Sequence, residues 1–436
     1  MGDGGLPAPS PAASPAASSA PSAASTQATA AVPSAGSREQ SPSQPAALDA
    51  AYSPNQRFPS LCVEGWRDLN HSYSLVNQWQ LSEFLKLPLR LRHRDLPPFS
   101  PNWNRHVHAS GLPPEVVEQL MAIPEPEADE PFDAVYRIAF PIDLSVGSDS
   151  RLFVFATSEY GVSDGMLVGK SVEAFNASDA VSLITPSSWS RLGFAQAGFL
   201  PEKISVIPHA VDPQCFYRVE SDLREFYRQL FGFGPDDFVL LSIGALTTNK
   251  GIDLLLSAFE ALKRKAPSLK LVIKDQSLLY KRSLSDVLRE MLLRGGQGLP
   301  SEEMLGDIVI ISENLDIEAL RSLYNSCDAY VSPYRAEGFN LPPLEAAACG
   351  LPILVTAGGS TDDYFSAELG LQIDSQYHQW EGLHALDPSL DSLIAGIEQL
   401  MASAGAWGGE DGSRLVHQRF NWEVIAQRLL ARMALG

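Results

Sequence analysis

Short apolar runs alternate with amphipathic segments along most of the chain. Ser60-Leu-Cys-Val-Glu-Gly-Trp66 predicts a strand ending at a glycine turn, followed by a helix over about 73–85. Further apolar runs predict strands over 134–140, 152–156, 180–184 and 204–207. A second series starts with a strand over 238–243, a helix over 252–265 and a strand over 269–273. It continues with a strand over 308–311, a helix over 317–325, a strand over 329–332, a helix over 342–349 and a strand over 352–356. Apolar strands separated by helices of this length indicate β-α-β units and parallel sheets. The alternation restarts after Asp212-Pro213, which divides the body into 56–218 and 219–385. A closing segment, 386–436, carries helices over 389–401 and 422–433 with a Gly-rich loop over 405–412 between them. The Pro- and Arg/His-containing stretch 89–133 gives no clear pattern.

Composition changes this picture mainly at the start of the chain. The first 47 residues are Ala, Ser, Pro, Gly and Gln with little else, and the first aromatic residue is Tyr52. Such a segment cannot bury enough apolar surface to offset its ordering entropy, so 1–55 reads as a disordered spacer. It lacks the basic start and apolar stretch of a secretory signal. The 436 residues carry a formal charge of −20. That balance argues against broad binding to nucleic acid, which needs clustered Lys and Arg, but it leaves room for one small anion in a pocket. No stretch approaches the roughly 20 apolar residues of a membrane span. Cys62, Cys215, Cys327 and Cys349 are not at metal-ligand spacings and sit among apolar or small neighbours, as free buried thiols do. The expectation is a cytoplasmic protein with peripheral membrane contact left open, the basic run Arg90-Leu-Arg-His-Arg94 being the candidate surface.

The chemistry concentrates where strands lead into helices. Tyr334-Arg-Ala-Glu-Gly-Phe-Asn-Leu-Pro-Pro-Leu-Glu345 follows an apolar run and opens a helix. Gly338 permits close backbone approach, and Pro342 and Pro343 suit a first helical turn. The N-terminus of that helix is suited to an anion. Glu337 and Glu345, eight positions apart, are spread along a ligand rather than paired as in a glycosidase. One could accept from sugar hydroxyls and the other from a ribose. Ser242-Ile-Gly-Ala-Leu-Thr-Thr-Asn-Lys-Gly251 also links a strand to a helix and places Lys250 near the same sheet edge, while Lys274 closes the next strand.

These residues resemble a family. Glu337 to Glu345, followed by Ala346-Ala-Ala-Cys-Gly-Leu-Pro352, is similar to the glutamate–seven–glutamate signature of retaining glycosyltransferases of family 4, which have the two-domain GT-B architecture. Thr185-Pro-Ser-Ser-Trp-Ser190 and Val206-Ile-Pro-His-Ala-Val-Asp212 resemble the end of the family's first domain, and Phe420-Asn-Trp-Glu423 resembles a last helix that crosses back onto it. The resemblance implies a hexose transferred from a nucleotide-diphosphate sugar to an acceptor hydroxyl with retention. It implies that Glu337 contacts the donor sugar, that Gly338, Phe339, Asn340 and Leu341 meet sugar and diphosphate, and that Glu345 binds the ribose. Lys250 matches the diphosphate lysine, and Glu313-Asn-Leu315 matches a segment that meets the nucleobase. The first domain would hold a carbohydrate, lipid-linked or small-molecule acceptor. Its cleft candidates are His71, Ser72 and, as a catalytic candidate, Glu159.

One departure stands out. The family's Gly-Arg pattern before the lysine reads Gly244-Ala245 here, and Lys274 is the candidate for part of the missing charge. The departure keeps open a second reading, a GT-B protein that binds a nucleotide-sugar or a partner without efficient catalysis. A dinucleotide-dependent dehydrogenase ranks lower, because no Gly-x-Gly-x-x-Gly turn follows the first strand. Asp362-Asp363 is no convincing metal motif, so no obligatory metal or other cofactor is expected.

Overall fold

The computed structural model describes residues 58–100, 103, 109–147, 151–295, 298–380 and 383–435. The spacer 1–55 lies outside the described residues. Arg57–Gly436 form one compact unit built on two six-stranded parallel sheets.

The first sheet begins with β1 (Ser60–Gly65), α1 (Ser72–Phe84), β2 (Arg90–Asp95), α2 (Pro114–Met121) and β3 (Ala134–Ile138). A short parallel pair, β4 (Ile142–Asp143) and β6 (Leu167–Val168), flanks β5 (Leu152–Phe155). Then come α3 (Val172–Asn176), β7 (Val181–Thr185), α4 (Ser188–Gln196) and β8 (Ile204–Val206). The strand order is β2-β1-β3-β5-β7-β8. Every side chain of Leu152-Phe-Val-Phe155 is buried, as expected for a central strand covered by helices on both faces.

The second series is α5 (Ser221–Leu230), β9 (Phe238–Ile243), α6 (Ile252–Lys263), β10 (Leu269–Lys274), α7 (Ser277–Tyr280), α8 (Leu284–Leu293), α9 (Glu302–Leu305), β11 (Ile308–Ile311), α10 (Ile317–Ser326), β12 (Ala329–Ser332), α11 (Leu341–Ala348), β13 (Ile353–Thr356) and β14 (Gly370–Ile373). Its order is β11-β10-β9-β12-β13-β14. An antiparallel hairpin, β15 (Ser375–Trp380) and β16 (Leu383–Pro388), precedes α12 (Leu390–Ala402), α13 (Gly409–Arg419) and α14 (Trp422–Met433). Side-chain caps start several helices, among them Asp316 on Ala319 N at 2.8 Å and Asn421 on Val424 N at 2.9 Å.

One apolar cluster runs from the first sheet through α1 and α14 to α11 and the second sheet. The chain's last helix thus packs on its first, and Val211 N donates to Phe420 O at 3.0 Å beside it.

One expectation is corrected. The loop over 405–412 ends early: α13 starts at Gly409, after left-handed Gly408 and Gly409. Its glycines hid the helix, because glycine is a poor helix former. The basic run 90–94 is edge strand β2, and its charges are paired rather than free. Arg90 and Arg92 bind Glu130, His93 contacts Asp95 and Arg94 binds Glu64. Among the described residues no helix is long and apolar enough to cross a membrane.

Candidate functional site

The loops after β9 and β12 converge at the carboxyl edge of the second sheet. After β9 the chain passes Gly244, makes a 3-10 turn over Thr248–Lys250 and enters α6 through Gly251. Gly251 is left-handed at φ 68°, and a Cβ there would lie 1.9 Å from Pro333 O, so only glycine fits. This turn aims Lys250 at the second loop, where its ammonium forms an ion pair with Glu337. Glu337 is buried. Burial pulls the Lys250 ammonium down, but the carboxylates of Glu337 and Glu159 outweigh it and its pKa ends above the ordinary value.

Glu159 reaches this pair from the first sheet, in the loop after β5. Its Oε2 accepts from Asn249 Nδ2 at 3.0 Å, and Asn249 also donates to Ala336 O at 3.2 Å. Glu159 as a residue is exposed, while its carboxyl end is desolvated beside Asn249, Lys250 and Glu337. That desolvation first, and then the Glu337 carboxylate, raise its pKa, with Lys250 opposing. Two carboxylates and one ammonium therefore meet between the two sheets. The phenol of Tyr280, in α7, faces the same three charges.

The backbone around Gly338 is pinned by the first half. Ser187 Oγ donates to Gly338 O at 2.6 Å, and a Cβ on Gly338 would lie 2.9 Å from Thr157 Cβ. Thr157 is itself bonded to Tyr73 OH at 3.0 Å. Asn340 is left-handed at φ 64°, donates to Ser332 Oγ at 2.9 Å and stands at the N-cap of α11, with Leu341 next. Phe339 does not offer its ring to a ligand. The ring is buried between His209, 4.9 Å away, and Tyr364, 5.2 Å away, which leaves only its backbone for contacts. Burial lowers His209 to about 3, so it stays neutral.

Glu345 lies one turn into α11, and Tyr324 OH donates to its Oε2 at 2.7 Å. Burial pushes Glu345 up to about 7, against the pull of that hydrogen bond. Lys274 ends β10, buried, with its amine on Asp275 O at 2.5 Å. Burial lowers its pKa, opposed by Asp275 and by Glu313 in the loop that carries Leu315. The structure thus places Lys274 by that loop rather than in the Lys250–Glu337 cluster. Leu315 is half-buried, and the first half covers its loop: Asn70 donates to Asn314 at 2.9 Å and Ile317 N to Gly111 O at 3.1 Å. His71 caps α1, its Nδ1 accepting from Tyr73 N at 3.3 Å, and its ring sits among Trp66 and Trp103; Ser72 beside it is exposed. Burial holds His71 down at about 4.

Asp362 and Asp363 serve backbone amides, accepting from Gly358 N at 2.9 Å and Ser188 N at 2.6 Å. Among the described residues no group of three or more acidic, His or Cys side chains is arranged to hold a metal ion.

Sequence reasoning missed Asn249, Arg335, Tyr324 and the hairpin β15–β16. Asn249 and Arg335 stood inside the motifs beside Lys250 and Glu337. Arg335 clamps Asp253 with two bonds of 2.8 and 3.0 Å and so ties the two loops together. The hairpin crosses to the first half, where His384 N donates to Tyr160 O at 2.5 Å and the His384 ring lies 4.2 Å from that of Trp189. Its polar, mixed sequence gave no strand signal.

Two Rossmann-like sheets facing each other across converging carboxyl-edge loops define the GT-B fold. Residues 224–405 match the family model described as glycosyl transferases group 1. Among curated relatives, the chain is 30% identical over 270 residues to the mannosylfructose-phosphate synthase of Agrobacterium fabrum, covering 59% of this chain and 53% of that one. It is 24% identical over 262 residues to the lipopolysaccharide 1,2-N-acetylglucosaminetransferase of Salmonella typhimurium, covering 58% and 61%. The chain thus spans about half the length of these relatives. Among solved structures, sucrose-phosphate synthase from Thermosynechococcus elongatus superposes with a TM-score of 0.61 at 17% identity, over 87% of this chain and 99% of that one. The HepE protein of Anabaena in complex with UDP-glucose gives 0.62 at 14% identity, over 86% and 99%. These likenesses establish the fold.

Proposed function

We propose that the chain is a retaining hexosyltransferase of family 4, moving a hexose from a nucleotide-diphosphate sugar to an acceptor hydroxyl. The observation that carries this reading is the meeting of Lys250, Glu337 and Glu159 between the two sheets, each at a strand's carboxyl edge. The match to glycosyl transferases group 1 over the half that holds Lys250, Glu337 and Glu345 supports it.

In this reading the donor lies mostly against the second half. Lys250 exchanges part of its contact with Glu337 for the diphosphate, and the α11 N-terminus with the backbone of 338–341 stabilises the same charge. Glu337, released, accepts from the sugar hydroxyls. Glu345 accepts from the ribose, while Leu315 packs on the base and Lys274 supports that loop. The first half presents the acceptor past Glu159, with the loop at His71 and Ser72 at its rim. The acceptor oxygen attacks the anomeric carbon on the face that the diphosphate leaves, and the departing phosphate takes the hydroxyl proton. No protein nucleophile and no obligatory metal is required.

The test incubates the full-length protein with a panel of nucleotide-sugars and candidate acceptors, with chelator present, and reads the product anomer by NMR. Transfer with the donor's configuration kept is the expected result. A protein that binds nucleoside diphosphate yet neither hydrolyses nor transfers any donor would sink the catalytic reading in favour of a binding role.

Two further outcomes follow. Because Glu345 must be ionised to accept two ribose hydroxyls, donor affinity rises with pH through about 7. Tyr324→Phe removes the bond that favours the ionised form and moves that midpoint upward, measured as donor KM against pH. Lys274→Ala raises donor KM by about tenfold and leaves kcat nearly unchanged, as loss of uniform binding does; an unchanged KM would remove Lys274 from the donor site.

A further inference from the structure

At the opposite, amino edge of the second sheet lies a cavity of about 340 Å³. That is within the roughly 300–1,000 Å³ range of small-molecule sites. Its apolar walls include Phe238 at the start of β9, Leu351 before β13, Leu400 in α12 and Trp407 in the turn before α13. Trp407 is half-buried, held in a segment bent by left-handed Gly405, Gly408 and Gly409, and offers an indole to the cavity.

The charged side chains that line the cavity balance, Arg218 and Arg224 against Asp328 and Glu410. The carboxylate of Asp328 is already occupied by Arg224 at 2.6 Å, Arg228 at 2.9 Å and Val239 N at 2.8 Å. Arg218 lines the cavity, is exposed, and has no hydrogen bond or ion pair among the described residues. Its side chain lies across Gly350, where a Cβ would come within 2.8 Å of Arg218 Cδ. Counting Arg228, which is not part of the lining but shares Asp328 with Arg224, three arginines stand against the two carboxylates Asp328 and Glu410 in a chain whose net charge is −20. An unpaired guanidinium beside an aromatic, apolar wall suits a ligand with a ring and an anionic group.

We propose that this cavity is a second ligand site, for a ring-bearing phosphate ester whose ring lies against Trp407 and whose phosphate is held by Arg218. Arg224 lends further positive charge. The site is separate from the donor cleft. The eight residues of α11, about 12 Å of helix, run between Asn340 at the cleft and Cys349-Gly350 at the cavity wall.

The test titrates full-length protein with phenyl phosphate by calorimetry, and separately with phenol and with inorganic phosphate. Phenyl phosphate is expected to bind at least about tenfold tighter than either fragment. Arg218→Ala and Trp407→Ala each weaken it by about tenfold or more, the scale of a hydrogen bond to a charged group. Arg218→Ala keeps the wild-type melting temperature, Trp407→Ala lowers it because the indole packs on the core of the second sheet, both variants keep wild-type donor kinetics, and Lys250→Ala leaves phenyl phosphate affinity unchanged. Affinity unaltered in both cavity variants, or lost in Lys250→Ala, would overturn the proposal, the latter placing the anion in the donor cleft.

Discussion

Replacing Lys250 by alanine lowers the rate of sugar transfer by about 10²–10³-fold, the cost of removing one preorganised group at developing charge, or about 2.7–4 kcal/mol. In the proposed reaction the leaving diphosphate gains negative charge as its bond to the sugar breaks, and Lys250 is the cation the β9 loop aims at that edge. The loop 244–251 holds no arginine, so no guanidinium in it takes over that role. The same substitution leaves Glu337, buried, facing Glu159 without the intervening ammonium. Glu159 then favours its protonated form more strongly, because the Glu337 carboxylate that raises its pKa is no longer opposed by Lys250. The sign follows from linkage. Glu159 already has a folded pKa above its unfolded value, so it lowers stability as pH rises above the ordinary carboxylate range. Lys250→Ala steepens that fall. Melting temperatures from pH 5 to pH 9 are expected to drop more in the variant than in the wild type. A kcat within a few-fold of wild type would remove Lys250 from the leaving-group site.

The parallel sheets and the two loops that carry Lys250 and Glu337 were legible because both are written locally. Runs such as Phe238-Val-Leu-Leu-Ser-Ile243 have one plausible place, the middle of a covered sheet, and glycine or proline marks where each loop turns. Glu337 and Lys250 lie in such loops, so their residue types and neighbours marked them as candidates. What could not be read was everything set by contacts between distant segments. Tyr324 looks like one more helical aromatic until α10 brings its hydroxyl to Glu345. The sequence leaves open whether Phe339 presents its ring or its backbone, and His209 and Tyr364 enclose the ring. Strand β2 alternates arginine with leucine and histidine, and reads as a basic surface until Glu64 and Glu130 supply the partners that permit it to be a sheet edge. The hairpin β15–β16 is the extreme case, since its reason to exist is the first-half surface at Tyr160 and Trp189 on which it rests.

Those long-range contacts make closure of the two halves a testable part of the mechanism. Ser187 on Gly338 O, Asn249 on Glu159, Ser188 on Asp363 and the hairpin on Tyr160 all join the first sheet's loops to the second's. In the proposed mechanism a donor enters only if some of them part, and acceptor alignment needs them to reform around it. Gly338 is the sharpest probe, because its hydrogen faces Thr157 at a distance no methyl group tolerates. Gly338→Ala is expected to lower kcat by about 10²-fold, the scale of a 1 Å misplacement of reacting groups, while nucleoside diphosphate still binds to the second half. The obstacle is steric and has a named partner, so a second change relieves it. Thr157→Ala alone keeps Cβ but removes Cγ2 and Oγ1, whereas Thr157→Gly also removes the atom 2.9 Å from the new methyl. The double variant Gly338→Ala with Thr157→Gly therefore regains most of the lost kcat, more than Gly338→Ala with Thr157→Ala. Activity that falls equally in all three, with no coupling between the two positions, would mean that Gly338 is needed for donor contact and not for the approach of the halves.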